Sequence, residues 1–137
     1  MAAGAPDIIV VDDDQLEHEL YRQALGRIDG DLRTEFFTDS QAAAKSFAAY
    51  AEQPPENQPR LALVDLYMPG MTGPELLRTR QERWATLQTP FCIVSTSSAR
   101  IDRSQCRELG CDAYFVKPSR FAELIALLRE KALPLMV

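Results

Sequence analysis

The chain has 137 residues, 46% of them hydrophobic, and 15 Lys and Arg against 20 Asp and Glu give it a net charge of −5. That length suits one domain whose core needs neither disulfides nor a structural metal, and it leaves no room for a second. The acidic balance gives no basic footprint for nucleic acid, so DNA binding by this chain alone is not expected, although Arg100, Arg103 and Arg107 form a local basic patch.

The opening stretch Met1-Ala2-Ala3-Gly4-Ala5-Pro6 has neither the basic start nor the apolar run of a signal peptide, and no apolar run approaches a membrane span. A soluble, cytoplasmic protein with no membrane partner is expected. Cys92, Cys106 and Cys111 are odd in number and lack zinc-ligand spacing, which points to reduced thiols, with Cys92 as core filling.

The first strand is predicted over residues 7–12, where Ile8-Ile9-Val10-Val11 runs into Asp12-Asp13-Asp14. A helix over 15–27 follows. His18 lies in it with no second imidazole in the chain to share a metal, and is read as an exposed helix residue. The second strand, over 33–37, is Arg33-Thr34-Glu35-Phe36-Phe37, polar enough to belong at a sheet edge. After a helix over 40–51, the stretch Gln53-Pro54-Pro55-Glu56-Asn57-Gln58-Pro59 reads as a surface loop, neither helix nor strand.

The third strand, over 61–65, ends on Asp65. Thr72-Gly73-Pro74-Glu75 is a capping-box pattern opening a helix over 74–86. The fourth strand, over 91–95, ends on the hydroxyl of Ser95, and a helix over 101–109 is followed by Gly110 as a left-handed cap. The fifth strand, over 113–116, leads into Lys117-Pro118, an X-Pro bond that is a candidate for cis geometry. Ser119 is placed as the cap of a last helix over 120–133, with Phe121, Leu124, Ile125 and Leu128 as its apolar stripe. Pro134 ends it and leaves Leu135-Met136-Val137 as a tail, read first as a frayed end and second as a dock for a partner or subunit.

Five strands alternating with five helices predict an α/β protein with a parallel sheet and crossover helices. The first, third and fourth strands are apolar throughout, as central strands covered on both faces should be. Their carboxyl ends then converge on one edge, where open α/β sheets bind ligands. Asp12, Asp13, Asp65 and Lys117 would share one pocket there, suited to Mg²⁺ and a phosphoryl group with Asp65 as its acceptor. Asp13 and Asp65 are read as direct ligands and Asp12 as acting through water, with the main-chain carbonyl of Tyr67 completing the protein's share. Mutual repulsion should raise at least one carboxyl pKa and loosen metal binding as pH falls. Lys117 is the cationic clamp, and Ser95 can hydrogen-bond a phosphoryl oxygen. Any one of these residues alone would be ordinary surface charge. Their meaning comes from placement at successive strand ends.

The stretches Val10-Val11-Asp12-Asp13-Asp14, Val64-Asp65-Leu66-Tyr67-Met68-Pro69-Gly70-Met71-Thr72-Gly73, Ile93-Val94-Ser95 and Tyr114-Phe115-Val116-Lys117-Pro118 together resemble the receiver domain of two-component response regulators. The similarity runs over about residues 7–133, so residues 1–137 are expected to be a single receiver domain with no output domain. The resemblance implies a flavodoxin-like doubly wound (βα)5 fold with strand order 2-1-3-4-5. It also implies that Asp65 is the phosphoacceptor, that Asp12 and Asp13 hold magnesium, that Ser95 is the switch hydroxyl, Lys117 the phosphoryl-contacting lysine and Tyr114 the switch aromatic.

By the same resemblance the phosphoryl group comes from a histidine kinase, a histidine phosphotransfer protein or a small-molecule donor, and the output is a downstream protein target. No enzyme activity is implied beyond self-phosphorylation from phosphodonors and slow self-dephosphorylation. Phosphorylation would shift a population, drawing in Ser95 and Tyr114 and remodelling the face of the fourth helix, fifth strand and fifth helix. A homodimer through that face is left open. Two departures stand out: Thr96 follows the switch hydroxyl where a small residue is common, and bulky Tyr67 is expected to restrict the attacking water and slow phosphoryl loss. The run Ser95-Thr96-Ser97-Ser98 with Gly110-Cys111-Asp112-Ala113-Tyr114 looks like small stand-alone regulators that serve phytochrome-type sensor kinases.

Three other readings compete. An aspartate-nucleophile phosphatase of the haloacid dehalogenase type wants a second acid where Tyr67 stands. A flavodoxin-like flavin carrier needs a hydroxyl- and glycine-rich phosphate loop where this chain has three aspartates. A degenerate receiver acting as a phosphorylation-independent interaction module is the main alternative.

Overall fold

A computed structural model describes residues 4–137; Met1, Ala2 and Ala3 of the leader stretch lie outside the described residues. Strands β1 (Ile8–Val11), β2 (Thr34–Phe37), β3 (Leu61–Val64), β4 (Phe91–Ser95) and β5 (Ala113–Val116) form one parallel sheet in the order β2-β1-β3-β4-β5. The crossovers carry α1 (Gln15–Ile28), α2 (Ser40–Ala51), α3 (Gly73–Arg83), α4 (Arg100–Glu108) and α5 (Phe121–Leu127). This is the doubly wound order expected from the sequence.

Alternation along the strands explains both layers. Ile9, Val11, Ala62, Val64, Phe91 and Ile93 face one side, where Phe47 of α2, Leu76 and Leu77 of α3 and Cys106 of α4 cover them. Ile8, Val10, Leu61, Leu63, Cys92 and Val94 face the other, against Tyr21 and Leu25 of α1 and Leu124 of α5. Strands buried on both faces lose the polar half of their alternation, which is why β1, β3 and β4 read as unbroken apolar runs. β2 and β5 are the edges and are only partly buried.

Local signals hold where the backbone needs them. Thr72 Oγ1 accepts the amide of Glu75 and the Glu75 carboxylate accepts the amide of Thr72, closing the capping box of α3. Gly110 has φ +85°, a left-handed position that suits glycine after α4. Cys92 and Cys106 are buried, and burial pushes their thiols up to about 12 and about 11.

Several expectations need correction. α3 stops at Arg83 because the chain turns to bury Trp84 and Leu87, with Trp84 5.8 Å from the ring of Phe47. The proline-rich loop contains one 3-10 turn, Pro55–Asn57, and proline is at home in a first helical turn. Ser119 does not cap the last helix: α5 starts one residue later, with Arg120 at its N-cap position and no side-chain cap bond. The Lys117-Pro118 bond is trans, as are all described peptide bonds. Beyond α5 the chain passes through a π-helical segment, Leu128–Ala132, and a 3-10 turn, Leu133–Leu135, that takes in Pro134.

The tail is neither frayed nor free for a partner. Leu135 and Met136 pack on the second core face, and Val137 exchanges two hydrogen bonds with Arg60: its amide donates to the Arg60 carbonyl (3.2 Å) and its carbonyl accepts from Arg60 Nε (3.0 Å). Among the described residues no helix is long and apolar enough to cross a membrane.

Candidate functional site

Strand register decides which side chains meet. Val11 of β1 pairs with Val64 of β3, so Asp12 and Asp65 leave the sheet side by side. Val64 pairs with Ile93 and Ser95 pairs with Val116, which carries the same edge on through Ser95 to Lys117. Two amides tighten it: Asp65 N–H donates to the Val11 carbonyl (2.9 Å) and Lys117 N–H to the Ser95 carbonyl (2.6 Å).

Asp12, Asp13 and Asp65 each offer a carboxylate oxygen, and these oxygens lie within 4.8 Å of one another. The three differ in setting: Asp12 is buried, Asp65 half-buried and Asp13 exposed. Both Asp12 oxygens are already engaged, Oδ1 by the amide of Asp14 (2.9 Å) and Oδ2 by Lys117 Nζ (3.3 Å). Asp14 has a separate task, capping α1 by accepting the Leu16 amide at 2.9 Å.

Asp65 is raised to about 6, chiefly by burial and next by the charge of Asp12, with Lys117 and the Leu66 amide pulling the other way. Repulsion among the carboxylates, expected from the sequence, contributes to this rise, but desolvation is the larger cause. An all-oxygen, multiply charged set of this kind fits a hard divalent cation such as Mg²⁺ and lacks the nitrogen or sulfur ligands that favour zinc.

Lys117 reaches back across the sheet edge to Asp12 and also lies 3.5 Å from the Glu17 carboxylate. Burial disfavours its ammonium, yet Asp12, Asp65 and Glu17 together outweigh that and hold its pKa above the usual lysine value. Ser95 is buried, its Oγ accepting the amide of Ser97 at 3.1 Å. Tyr114 is half-buried on β5, its hydroxyl donating to the Ser97 carbonyl (2.8 Å), with the Arg103 guanidinium 5.4 Å over its ring. Tyr67 is 61% exposed and sends its hydroxyl to Asp102 of α4, at 2.8 Å.

Two residues around the site, Glu17 and Asp102, were not singled out from sequence, and two more, Ser97 and Gly73, were named only within longer motifs. A fifth was misplaced. His18 is buried, not exposed, because Nε2 donates to the Asp12 carbonyl at 2.6 Å while the ring tilts against Phe36. Its spacing to Tyr21 and Leu25, three and seven residues on, marks the inner face of α1 and was the available signal. Gly73 is needed for close approach, since a Cβ there would sit 2.7 Å from the Asp65 carbonyl oxygen.

Residues 8–129 match the family model described as the response regulator receiver domain. The two-component response regulator ARR9 of Arabidopsis thaliana is 28% identical over 132 residues, covering 85% of this chain and 55% of that protein. The chain thus spans about half the length of the curated relatives it matches. Among solved structures, the phosphorylated cyanobacterial phytochrome response regulator RcpA superposes with a TM-score of 0.73 at 22% identity, covering 92% of this chain and 90% of that one. The Mn²⁺-bound form of response regulator Rcp1 gives 0.71 at 23% identity, covering 90% of each.

Proposed function

We propose, for a chain that belongs to the response regulator receiver domain family of two-component systems, that Asp65 accepts a phosphoryl group and that its phosphorylation switches a protein-binding face. The convergence of the Asp12, Asp13 and Asp65 carboxylates on the strand edge that also carries Lys117 is the observation that supports this most.

Asp65 is ionised at neutral pH, given its pKa of about 6, so a carboxylate oxygen is available as nucleophile. It attacks the phosphorus of a phosphohistidine on the donor. The new O–P bond forms as the P–N bond breaks, and the released imidazole nitrogen takes up a proton. Asp13 and Asp65 would hold Mg²⁺ directly, Asp12 through water, and the main-chain carbonyl of Tyr67 would add a further oxygen. When bound, the ion neutralises charge that would otherwise repel the donor phosphate.

Lys117 supplies a fixed positive charge to the phosphoryl oxygens, held in place by Asp12 and Glu17 before the reaction. Ser95 donates its hydroxyl proton to a phosphoryl oxygen and Tyr114 turns inward with it. The altered face of α4, β5 and α5 then meets a downstream protein. On this reading residues 1–137 act as one receiver domain, with no catalysis beyond accepting the group and slowly hydrolysing it. The donor is a histidine kinase or phosphotransfer protein; the Ser95-Thr96-Ser97-Ser98 run makes a phytochrome-type kinase the first to test.

The test is chemical mapping. After phosphorylation, borohydride reduction converts an aspartyl phosphate to homoserine, and peptide mass spectrometry should find that mark at position 65. A mark at Asp12 or Asp13 instead, or at none of the three, would contradict the assignment.

A further inference from the structure

Asp102 stands in the first turn of α4 and accepts two side-chain hydrogen bonds. Tyr67 Oη donates to Oδ1 at 2.8 Å and Ser97 Oγ to Oδ2 at 2.6 Å. The second bond is local, from the loop leading into the helix. The first is not: Tyr67 lies two residues past Asp65, on a different loop and 35 positions away in sequence. One carboxylate therefore joins the loop that carries the phosphoacceptor to the loop that carries Ser95. We propose that Asp102 is a positioning residue, a tie that holds α4 and the β4–α4 loop in their unphosphorylated arrangement.

This rests on the reading of Asp65 as phosphoacceptor. Ser97 is the node through which the tie acts. Its amide donates to Ser95 Oγ (3.1 Å), its carbonyl accepts from Tyr114 Oη (2.8 Å), and its own hydroxyl is held by Asp102. Ser95 cannot move toward a phosphoryl group, nor Tyr114 turn inward, without pulling on Ser97 and so on the bonds to Asp102. Both hydroxyls lower the Asp102 pKa, Ser97 more than Tyr67, so the acceptor is a full carboxylate at neutral pH. Hydrogen bonds to a charged acceptor are the stronger kind.

A simpler role would be local: an acidic residue in the first turn favours the helix start. Ser97 Oγ also accepts the Ala99 amide at the α4 N-cap position, so Ser97 and Asp102 organise that turn whatever Tyr67 does. The Tyr67 bond separates the two roles. Tyr67→Phe removes only the phenolic oxygen, leaving charge, ring and main-chain carbonyl in place.

The experiment is a titration with beryllofluoride, a phosphoryl mimic, in saturating Mg²⁺, read by fluorine NMR on the full chain. Wild type, Asp102→Ala, Tyr67→Phe and the double variant are compared, with thermal midpoints to confirm folding. Breaking the tie should tighten binding about fivefold in each single variant, the scale of one net hydrogen bond. The double variant should gain no more than the larger single effect, because both remove the same link. Unchanged affinity in Tyr67→Phe overturns the tie; a gain confined to Asp102→Ala reports only the lost negative charge and overturns it equally. Should Asp102→Ala fold poorly, Ser97→Ala, which frees the same node, must show the gain. No beryllofluoride binding by wild type would instead overturn the phosphoacceptor reading and the tie with it.

Discussion

Lys117 Nζ lies 3.3 Å from Asp12 Oδ2, joining the ends of the first and last strands across 105 positions of sequence. Their side chains are only 12% and 4% exposed, so neither charge is well hydrated and each depends on the other. Asp12 shares the pocket with Asp13 and Asp65, and the lysine offsets part of the repulsion among the three carboxylates.

Removing the lysine should therefore be costly even before any phosphorylation. Lys117→Met leaves Asp12 buried and without its partner, and metal-free stability should fall by about 3 kcal/mol. Adding Asp12→Asn should restore much of that loss. Urea midpoints of the two variants in a chelator check both statements, and a single variant as stable as wild type would refute the dependence.

Asp65 gives a pH signature with a definite sign. Its folded-state pKa of about 6 lies above the ordinary 3.8, so between these values the folded protein keeps a proton that the unfolded chain has released. This group's contribution to stability is present at low pH and is lost as pH rises from about 4 through about 6. Solvent screening of the half-buried carboxylate reduces the effect to about 1 kcal/mol. In chelator, wild type should lose that much relative to Asp65→Asn over this range. The same proton competes with Mg²⁺, whose affinity should weaken below about pH 6.

His18 holds the carbonyl that joins Asp12 to Asp13. In His18→Leu that support is lost while the site on Phe36 stays filled, and Mg²⁺ affinity should fall about tenfold, the usual scale for residues that orient metal ligands. Calorimetric titration measures it. Wild-type affinity in a folded variant would mean that the hydrogen bond only anchors α1.

Gly73 fixes how closely α3 approaches Asp65. A methyl group at this position meets the Asp65 carbonyl oxygen at 2.7 Å, so Gly73→Ala must displace either the helix or the end of β3. A loss of about 1–3 kcal/mol is expected, the range for overpacking a tight interior. It is measured by urea denaturation, and Gly26→Ala, where no atom lies within 4 Å, should show no comparable loss.

The strand-end positions of Asp12, Asp13, Asp65, Ser95 and Lys117 could be read from the chain because strand ends are marked by abrupt changes from apolar to polar residues, whereas the sheet order followed only from the resemblance to receiver domains. What could not be read depends on side chains that reach across the fold. The spacing of His18 to Tyr21 and Leu25 marks the inner face of α1 but does not reveal its bond to the Asp12 carbonyl, and Asp102 looks like any acid at a helix start until Tyr67 arrives from another loop. Ser119 and Pro134 show the same limit from the other side. Each carries a strong local signal, yet the packing of α5 and the docking of Leu135 and Met136 decide where the helix begins and ends.

The most direct test of the central claim is the intact mass of the protein after incubation with acetyl phosphate or phosphoramidate, with and without Mg²⁺, beside Asp65→Asn. The account predicts a single phosphoryl adduct that requires Mg²⁺ and is absent from Asp65→Asn. An adduct of equal yield in Asp65→Asn, or none from either donor in a protein that binds neither Mg²⁺ nor beryllofluoride, would contradict it, the latter favouring a phosphorylation-independent interaction module.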